Sequence, residues 1–155
     1  QTGTKYEYTP LVADELLIVV PATHPWAGQT VEPEQLYEYP FVNREPGSGT
    51  RATYERALRA IGIDPEGLQT VLSGGSTSAV LTAVLAGMGY AFCSKWALRN
   101  SLAMNQLATA RLKGLTLERD FYIVYDPNRF RTLAAEELLR FLRRQVAHEG
   151  GEILD

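Results

Sequence analysis

The apolar residues of this chain fall in short runs, and successive runs alternate between the spacing of a strand and that of a helix. Residues 16–20 form a continuous apolar and β-branched run, typical of a strand buried on both faces. Four apolar residues between positions 54 and 61 instead recur at helical spacing, and Gly62 is expected to end that helix. The same reasoning predicts strands at 41–42, 70–72, 90–93 and 115–125, a helical turn within 32–39, and helices at 77–86, 95–102 and 135–146.

The order of these elements indicates the fold class. Strand and helix alternate between residues 41 and 93, which predicts βαβ units, a parallel sheet and therefore an α/β fold. The helix at 77–86 is almost entirely apolar or small, so we expect it to be buried on most sides. Residues 1–10 are polar without periodicity and predict a loose lead-in, and residues 149–155 predict a frayed tail.

Composition and charge exclude several classes of protein. With 45% hydrophobic and 21% charged residues the chain is not a disordered segment. The net charge of −3 does not suggest DNA binding by this chain alone, because a basic surface is what holds a duplex through its phosphates. No apolar run approaches the length of a membrane span, and no signal pattern opens the sequence, so we expect a cytoplasmic protein without a membrane partner.

Two turns rich in Gly, Ser and Thr are the most informative polar feature. Residues 47–50 read Gly-Ser-Gly-Thr and residues 73–77 read Ser-Gly-Gly-Ser-Thr, and each turn follows a predicted strand and opens a predicted helix. A helix N-terminus exposes unpaired N–H groups and partial positive charge, so such a turn attracts carboxylate, phosphate or sulfate. The alternative is that these residues are only helix caps and turn formers, and this fits either turn taken alone.

Other residues that could carry chemistry lack the partners that chemistry needs. Cys93 lies in an apolar strand and is expected to behave as a small hydrophobe. The two histidines, His24 and His148, lie in a Pro-rich turn and near the tail, so no nucleophile has a supported base. One cysteine and two histidines give no credible metal site. We therefore expect no catalysis, no metal and no cofactor.

Three segments resemble one family in order and spacing. Residues 17–25 (Leu-Ile-Val-Val-Pro-Ala-Thr-His-Pro) resemble the strand-to-hinge segment of the effector domain of LysR-type transcriptional regulators. Residues 44–51 (Arg-Glu-Pro-Gly-Ser-Gly-Thr-Arg) are similar to that family's Glu-Pro-Gly-Ser-Gly loop, and residues 87–92 to its Gly-Leu-Gly-Ile-Ala strand entry. Ser94 departs from the proline that the family often has there.

The resemblance implies a periplasmic-binding-protein-like fold (type 2) of two α/β lobes that hold a small molecule between them. Lobe II would be complete at 21–112. The other lobe would be partial, with 1–20 as lead-in and crossing strand, 113–148 as the return, and 149–155 as a tail. The family further implies homodimers or tetramers, and DNA binding only through an N-terminal winged helix-turn-helix domain that is expected to be absent from this chain.

The resemblance also implies where an effector would bind. The hydroxyl-rich turns at the helix starts favour a small, anionic metabolite as that effector. Thr23 would be a weaker contact by its expected place at the crossing between lobes. Two alternatives remain: a solute-binding protein of an ABC-type transport system, and a transferase that uses one of the serine turns. The main effector-binding residues would be Ser48, Gly49, Thr50, Ser76 and Thr77.

Overall fold

The structure, a computed structural model, describes residues 6–128 and 132–148. The predictions for residues 1–5 and for the tail at 149–155 lie outside the described residues. Short 3-10 helices lie at Pro33–Tyr37 and Pro65–Gly67. The strands and α-helices are β1 (Glu7–Pro21), β2 (Thr30–Val31), β3 (Phe41–Arg44), α1 (Gly49–Ala60), β4 (Thr70–Gly74), α2 (Thr77–Leu85), β5 (Ala91–Ser94), α3 (Lys95–Ala103), β6 (Leu107–Leu112), β7 (Leu117–Tyr125) and α4 (Leu133–His148).

The hydrophobic pattern located most of these elements and missed two strands. β1 begins at Glu7, so the prediction of a loose lead-in is wrong from that residue onward. β2 and β6 were not predicted, because β2 has only two residues and β6 is rich in small or polar residues (Leu-Ala-Thr-Ala-Arg-Leu). β6 is instead held by pairing, since it bonds β1 on one side and β2 on the other.

The chain divides into two compact units. Unit 1 comprises Gln1–Asp14 and Glu118–Asp155, and unit 2 comprises Glu15–Leu117. The lobe boundaries expected from the sequence stay a prediction. Within the described residues no helix is long and apolar enough to cross a membrane.

The sheet of unit 2 is mixed rather than parallel throughout. Its strands follow the order β2-β6-β1-β5, and β1 runs antiparallel to both of its neighbours. β3 and β4 are parallel to each other. β3 also bridges to Tyr90, just before β5, in parallel fashion, and the Val42 N–H donates to the Tyr90 carbonyl at 2.8 Å. The strands of the predicted βαβ region are therefore parallel to one another, but β1 pairs antiparallel with β5 beside them.

The helices α1 and α2 pack on opposite faces of this sheet. Tyr54 and Leu58 of α1 belong to the core cluster that contains Phe41 of β3. Val80 and Val84 of α2 belong to the other cluster, with the next residue of β3. The prediction that α2 is buried on most sides is wrong, because one face of α2 packs on the sheet and Leu85, at its end, is 42% exposed.

Unit 1 contains the pairing of β7 with β1 and the last helix, α4, whose described side chains are not buried. Its β7 pairs with β1, and the buried Asp14 carboxylate accepts a hydrogen bond from Arg119 Nε at 2.8 Å. The predicted last helix is present as α4, but none of its described side chains is buried, and Phe141 is 49% exposed. The apolar stripe predicted the helix correctly without predicting how it is covered.

Candidate functional site

The parallel strands of unit 2 end together at one edge of the sheet. β3 lies between β5 and β4, and its last residue, Arg44, is in register with Gly74 at the end of β4. The Glu45 N–H continues this pairing, since it donates to the Gly74 carbonyl at 3.2 Å. We call this the carboxyl edge and define it by the last residues of the three strands, Arg44, Gly74 and Ser94.

Each of these strands leads into a helix that a serine caps. The Ser48 hydroxyl accepts a hydrogen bond from the Arg51 N–H at 3.4 Å, at the start of α1. Ser76 accepts from the Ala79 N–H at 3.2 Å, at the start of α2, and Ser94 accepts from the Trp96 N–H at 3.2 Å, at the start of α3. Each cap satisfies one donor, while a helix begins with four N–H groups that lack partners within the helix. The carboxyl edge therefore combines the positive ends of three helix dipoles.

The connections at this edge diverge, which leaves space for a ligand. α1 leaves β3 toward one face of the sheet, and α2 leaves the adjacent β4 toward the other. In open α/β sheets ligands bind outside the carboxyl ends of strands, where neighbouring connections separate in this way. The topology thus favours the carboxyl edge as a binding site.

Arg44 joins the beginnings of the two helices. Its Nη1 donates to the Thr77 hydroxyl at 3.1 Å, in the first turn of α2. Its Nε and Nη2 donate to the two carboxylate oxygens of Glu45 at 2.7 and 2.8 Å. Its carbonyl accepts from Arg51 Nη1 at 3.0 Å, in the first turn of α1. One residue at the end of the central strand therefore connects both predicted binding turns.

The Arg44 guanidinium and the Glu45 carboxylate each stabilise the charged form of the other. The hydrogen bond from Arg44 lowers the pKa of Glu45 to about 2, and the hydrogen bond to Glu45 raises the pKa of Arg44. The Arg44 side chain is 14% exposed and that of Glu45 is 36% exposed. Both groups are therefore ionised at neutral pH, with the carboxylate on the more open side.

A buried hydrogen bond holds the end of β3 against α1. The Tyr54 hydroxyl of α1 donates to Asn43 Oδ1, which also accepts from the Arg44 N–H at 2.7 Å. Burial raises the pKa of Tyr54, so its hydroxyl stays protonated and remains a donor. Asn43 and Tyr54 thereby fix the backbone that carries Arg44.

Most of the predicted site residues meet at this edge. Gly49 and Ser76 are exposed, whereas Thr50 and Thr77 are half-buried. Ser48 is buried, and its hydroxyl caps α1. Gly49 and Thr50 form the first turn of α1, and Thr77 begins α2.

Thr23 does not join them. It is an exposed residue in the turn after β1, and β1 runs antiparallel to β5, so this turn lies at the opposite edge of the sheet. The next residue shows the same location, because the ring of His24 lies 4.8 Å from that of Tyr39, just before β3. Thr23 was expected at a crossing between lobes, but the division into units falls within β1, between Asp14 and Glu15.

Sequence reasoning missed two residues of the carboxyl edge. The family motif includes Arg44 without giving it a role, although an arginine two residues after the apolar pair Phe41-Val42 and just before a glycine turn is itself a signal. Ser94 stands out in the sequence only as a departure from the family's proline. It caps α3 with a hydroxyl that proline would lack, and it is buried to 9% exposure.

A shallow surface hollow of about 140 Å³ lies elsewhere in unit 2. Segments around β2 and β6 line it, including Gly28, Thr30 and Arg111. Arg111 is already paired with Glu15, and β1 lies between β6 and β5, the nearest strand of the carboxyl edge. This hollow is therefore not part of the site formed by the helix caps.

Other reactive groups do not add to the site. Burial raises the pKa of the Cys93 thiol to about 12, so the thiol is protonated and unreactive. Among the described residues, no group of three or more His, Cys, Asp and Glu side chains could hold a metal ion.

Comparison with known proteins points in one direction. The family model of the LysR substrate binding domain matches residues 1–147. A probable RuBisCO transcriptional regulator of Trichormus variabilis is 30% identical over 142 residues, covering 91% of this chain and 42% of that protein. The chain thus spans about two fifths of the length of this curated relative, which is named as a regulator and not as an enzyme.

Solved structures agree on the fold. The regulatory domain of CcmR from Synechocystis PCC6803, solved in complex with 2-PG, is 23% identical, with a TM-score of 0.78 over 94% of this chain and 69% of that one. The effector binding domain of QuiR, solved with shikimate, is 20% identical, with a TM-score of 0.74 over 96% of this chain and 68% of that one. The α/β fold is therefore that of LysR effector-binding domains, with the periplasmic-binding-protein-like type 2 architecture expected from the sequence. This chain belongs to the LysR substrate binding domain family.

Proposed function

We propose that this chain is the effector-sensing part of a transcriptional regulator and that its carboxyl edge binds a small anion. The contacts would come from Ser48, Gly49, Thr50, Ser76 and Thr77, to which we add Arg44 and Ser94. Thr23 is left out because of its place at the opposite edge. The family match and the regulators among its relatives favour this function over transport.

One observation carries the proposal: a single arginine links the starts of two helices at the point where their connections diverge. The Arg44 contact to Thr77, at 3.1 Å, brings a cationic group into the first turn of α2. Helix N-termini and a guanidinium both favour carboxylate and phosphate groups. The ligands of the two structural neighbours, 2-PG and shikimate, fit this preference for small anions.

The whole protein would act through further parts. The resemblance supports a separate winged helix-turn-helix domain that reads DNA, and a dimer or tetramer that passes the effector signal to it. Because such a regulator works where the DNA is, we infer a cytoplasmic location. None of this requires DNA contact by the acidic chain described here.

A nuclear magnetic resonance titration tests the proposed site. The probes are 2-PG, shikimate and inorganic phosphate, with glycerol as the uncharged control. We expect the amide signals of residues 48–51, 76–79 and 94–97 to shift with the anions and not with glycerol. The amide of Thr23 should not respond, because it lies at the opposite edge of the sheet.

A charge variant tests the same site by a second route. Ser76→Asp keeps a good helix cap but places a negative charge where the anion would bind, so affinity for 2-PG should fall at least about tenfold while the helix remains stable. Thr23→Asp makes the same change of net charge at the other edge and should leave the affinity unaltered.

Two results would contradict the proposal. One is that no anion shifts any amide signal at the starts of α1, α2 and α3. The other is that Ser76→Asp and Thr23→Asp weaken binding equally, which would mean that the probes respond only to the overall charge of the protein.

A further inference from the structure

The ion pair between Arg44 and Glu45 has the form of a ligand contact made by the protein itself. Both carboxylate oxygens of Glu45 face the Nε and Nη2 of Arg44, at 2.7 and 2.8 Å. This two-bond arrangement is how a guanidinium also holds the carboxylate or phosphate group of a ligand. The position coincides with the start of α2, since the remaining Nη1 bonds Thr77.

We propose that the Glu45 carboxylate is an internal counter-ion, which occupies Arg44 while the site is empty and is replaced by the anionic group of the effector. This inference rests on the proposed function. It adds that Arg44 is the residue that recognises the effector's charge and that Glu45 sets how strongly the effector must compete.

The backbone allows this exchange without a change of fold. The Glu45 N–H is fixed to the Gly74 carbonyl at 3.2 Å, so the main chain stays in place when the side chain rotates. The Glu45 side chain is 36% exposed and can turn into water, where its charge is well solvated. The Arg44 side chain is only 14% exposed and is held by Thr77, so it stays in position.

The exchange also conserves the interactions of the guanidinium. An effector carboxylate or phosphate would accept the same two N–H groups that Glu45 gives up, while the Nη1 contact to Thr77 persists. Arg44 is therefore pre-oriented for an anion, and Glu45 keeps it from being an unpaired charge in the absence of one.

The variant that tests the exchange is Glu45→Gln. The amide cannot match a carboxylate on the guanidinium, so 2-PG should bind up to about fivefold more tightly than to the unmodified chain, as the loss of an exposed ion pair permits. Glu38→Gln removes the same charge from an exposed residue just ahead of β3, at the amino end of that strand, and is the matched control. It should not change the affinity for 2-PG.

The side-chain Nε–H signal of Arg44 gives a direct readout. It should move on titration of the unmodified chain with 2-PG, and it should already be displaced in ligand-free Glu45→Gln. If 2-PG shifts the amides at the helix starts but not the Arg44 Nε–H signal, or if Glu45→Gln binds 2-PG no better than Glu38→Gln, the exchange is wrong while the proposed function stands. If no amide shifts at all, the proposed function fails, and the exchange fails with it.

Discussion

The two edges of the sheet in unit 2 are built from the same strands but have opposite chemistry. At the carboxyl edge the strands lead into serine caps, helix N-termini and the Arg44–Glu45 pair. At the amino edge, where β1 ends and β3 begins, the space is filled by rings. His24, Trp26 and Tyr39 lie 4.8 to 5.1 Å from one another, measured between ring centroids.

This difference separates a packed aromatic cluster at the amino edge from polar helix starts at the carboxyl edge. Trp26 at the amino edge is 4% exposed and also packs on Tyr90, at 5.1 Å between ring centroids. The Tyr90 hydroxyl in turn donates to the Leu36 carbonyl at 2.9 Å. The amino edge thus buries a cluster of aromatic rings, whereas the carboxyl edge carries three helix N-termini, with Gly49 and Ser76 exposed. Substitutions at the two edges should therefore affect different properties.

The largest expected effect comes from a pair of glycines. Gly89 has φ +149°, and a Cβ built there would lie 2.1 Å from the Pro40 carbonyl oxygen, so Gly89→Ala should cost about 3 kcal/mol or more of unfolding free energy. Gly75, in the turn before α2, has no atom within 4 Å of a built Cβ, so Gly75→Ala should change stability by less than about 1 kcal/mol. Urea denaturation measures the unfolding free energy of both variants. Because Gly89 lies just before β5, at the amino edge, and Gly75 lies at the carboxyl edge, similar losses in the two variants would contradict the contrast between the edges.

The helix caps should give an intermediate effect on stability. Ser48→Ala and Ser76→Ala should each cost about 1 kcal/mol, with the larger loss at the buried Ser48. Thr23→Ala, at an exposed turn of the other edge, should stay within about 0.5 kcal/mol. Thermal unfolding compares the three, and a larger loss for Thr23→Ala than for Ser48→Ala would contradict this assignment of roles.

The smallest effect is a pH dependence at the amino edge. Burial lowers the pKa of His24 below its ordinary value of 6.5, and His24 Nδ1 accepts a hydrogen bond from the backbone N–H of Trp26 at 3.1 Å. The unfolded chain therefore binds a proton more readily than the folded one, so this contribution to stability is complete above about pH 6.5 and is lost as the pH falls through that value and then through the lowered pKa.

His24→Asn retains an acceptor for the Trp26 N–H but does not titrate. The unfolding free energy of the unmodified chain should therefore rise relative to that of the variant as the pH goes from 5 to 7. These two values lie on either side of the ordinary histidine pKa of about 6.5. A difference that does not vary with pH would show that His24 titrates alike in both states.

The strands and helices of the βαβ region could be predicted because their residues have strong local preferences. The apolar run that became the buried part of β1 and the amphipathic pattern of α1 determine strand and helix without reference to other parts of the chain. β6 could not be found in this way. Its Ala and Thr residues are accommodated because strands on both sides supply its hydrogen bonds, and that pairing partner is remote in sequence.

The residues of the candidate site also divide into those that local sequence predicts and those that it does not. The capping residues Ser48 and Ser76 could be predicted from their types, since a Ser between a strand and a helix favours the cap. The location of Thr23 at the opposite edge could not be predicted from the sequence, because it follows from the antiparallel direction of β1.

The sequence by itself determined the α/β class, the family and the two Gly/Ser/Thr turns that open helices, because these depend on neighbours a few residues apart. Only the tertiary structure decided that two such turns meet at one edge, that Arg44 joins them and that Glu45 occupies its guanidinium. The reason is physical. Arg44 and Thr77 are separated by 33 positions, and they come into hydrogen-bond contact only because β3 and β4 pair in parallel with their ends in register.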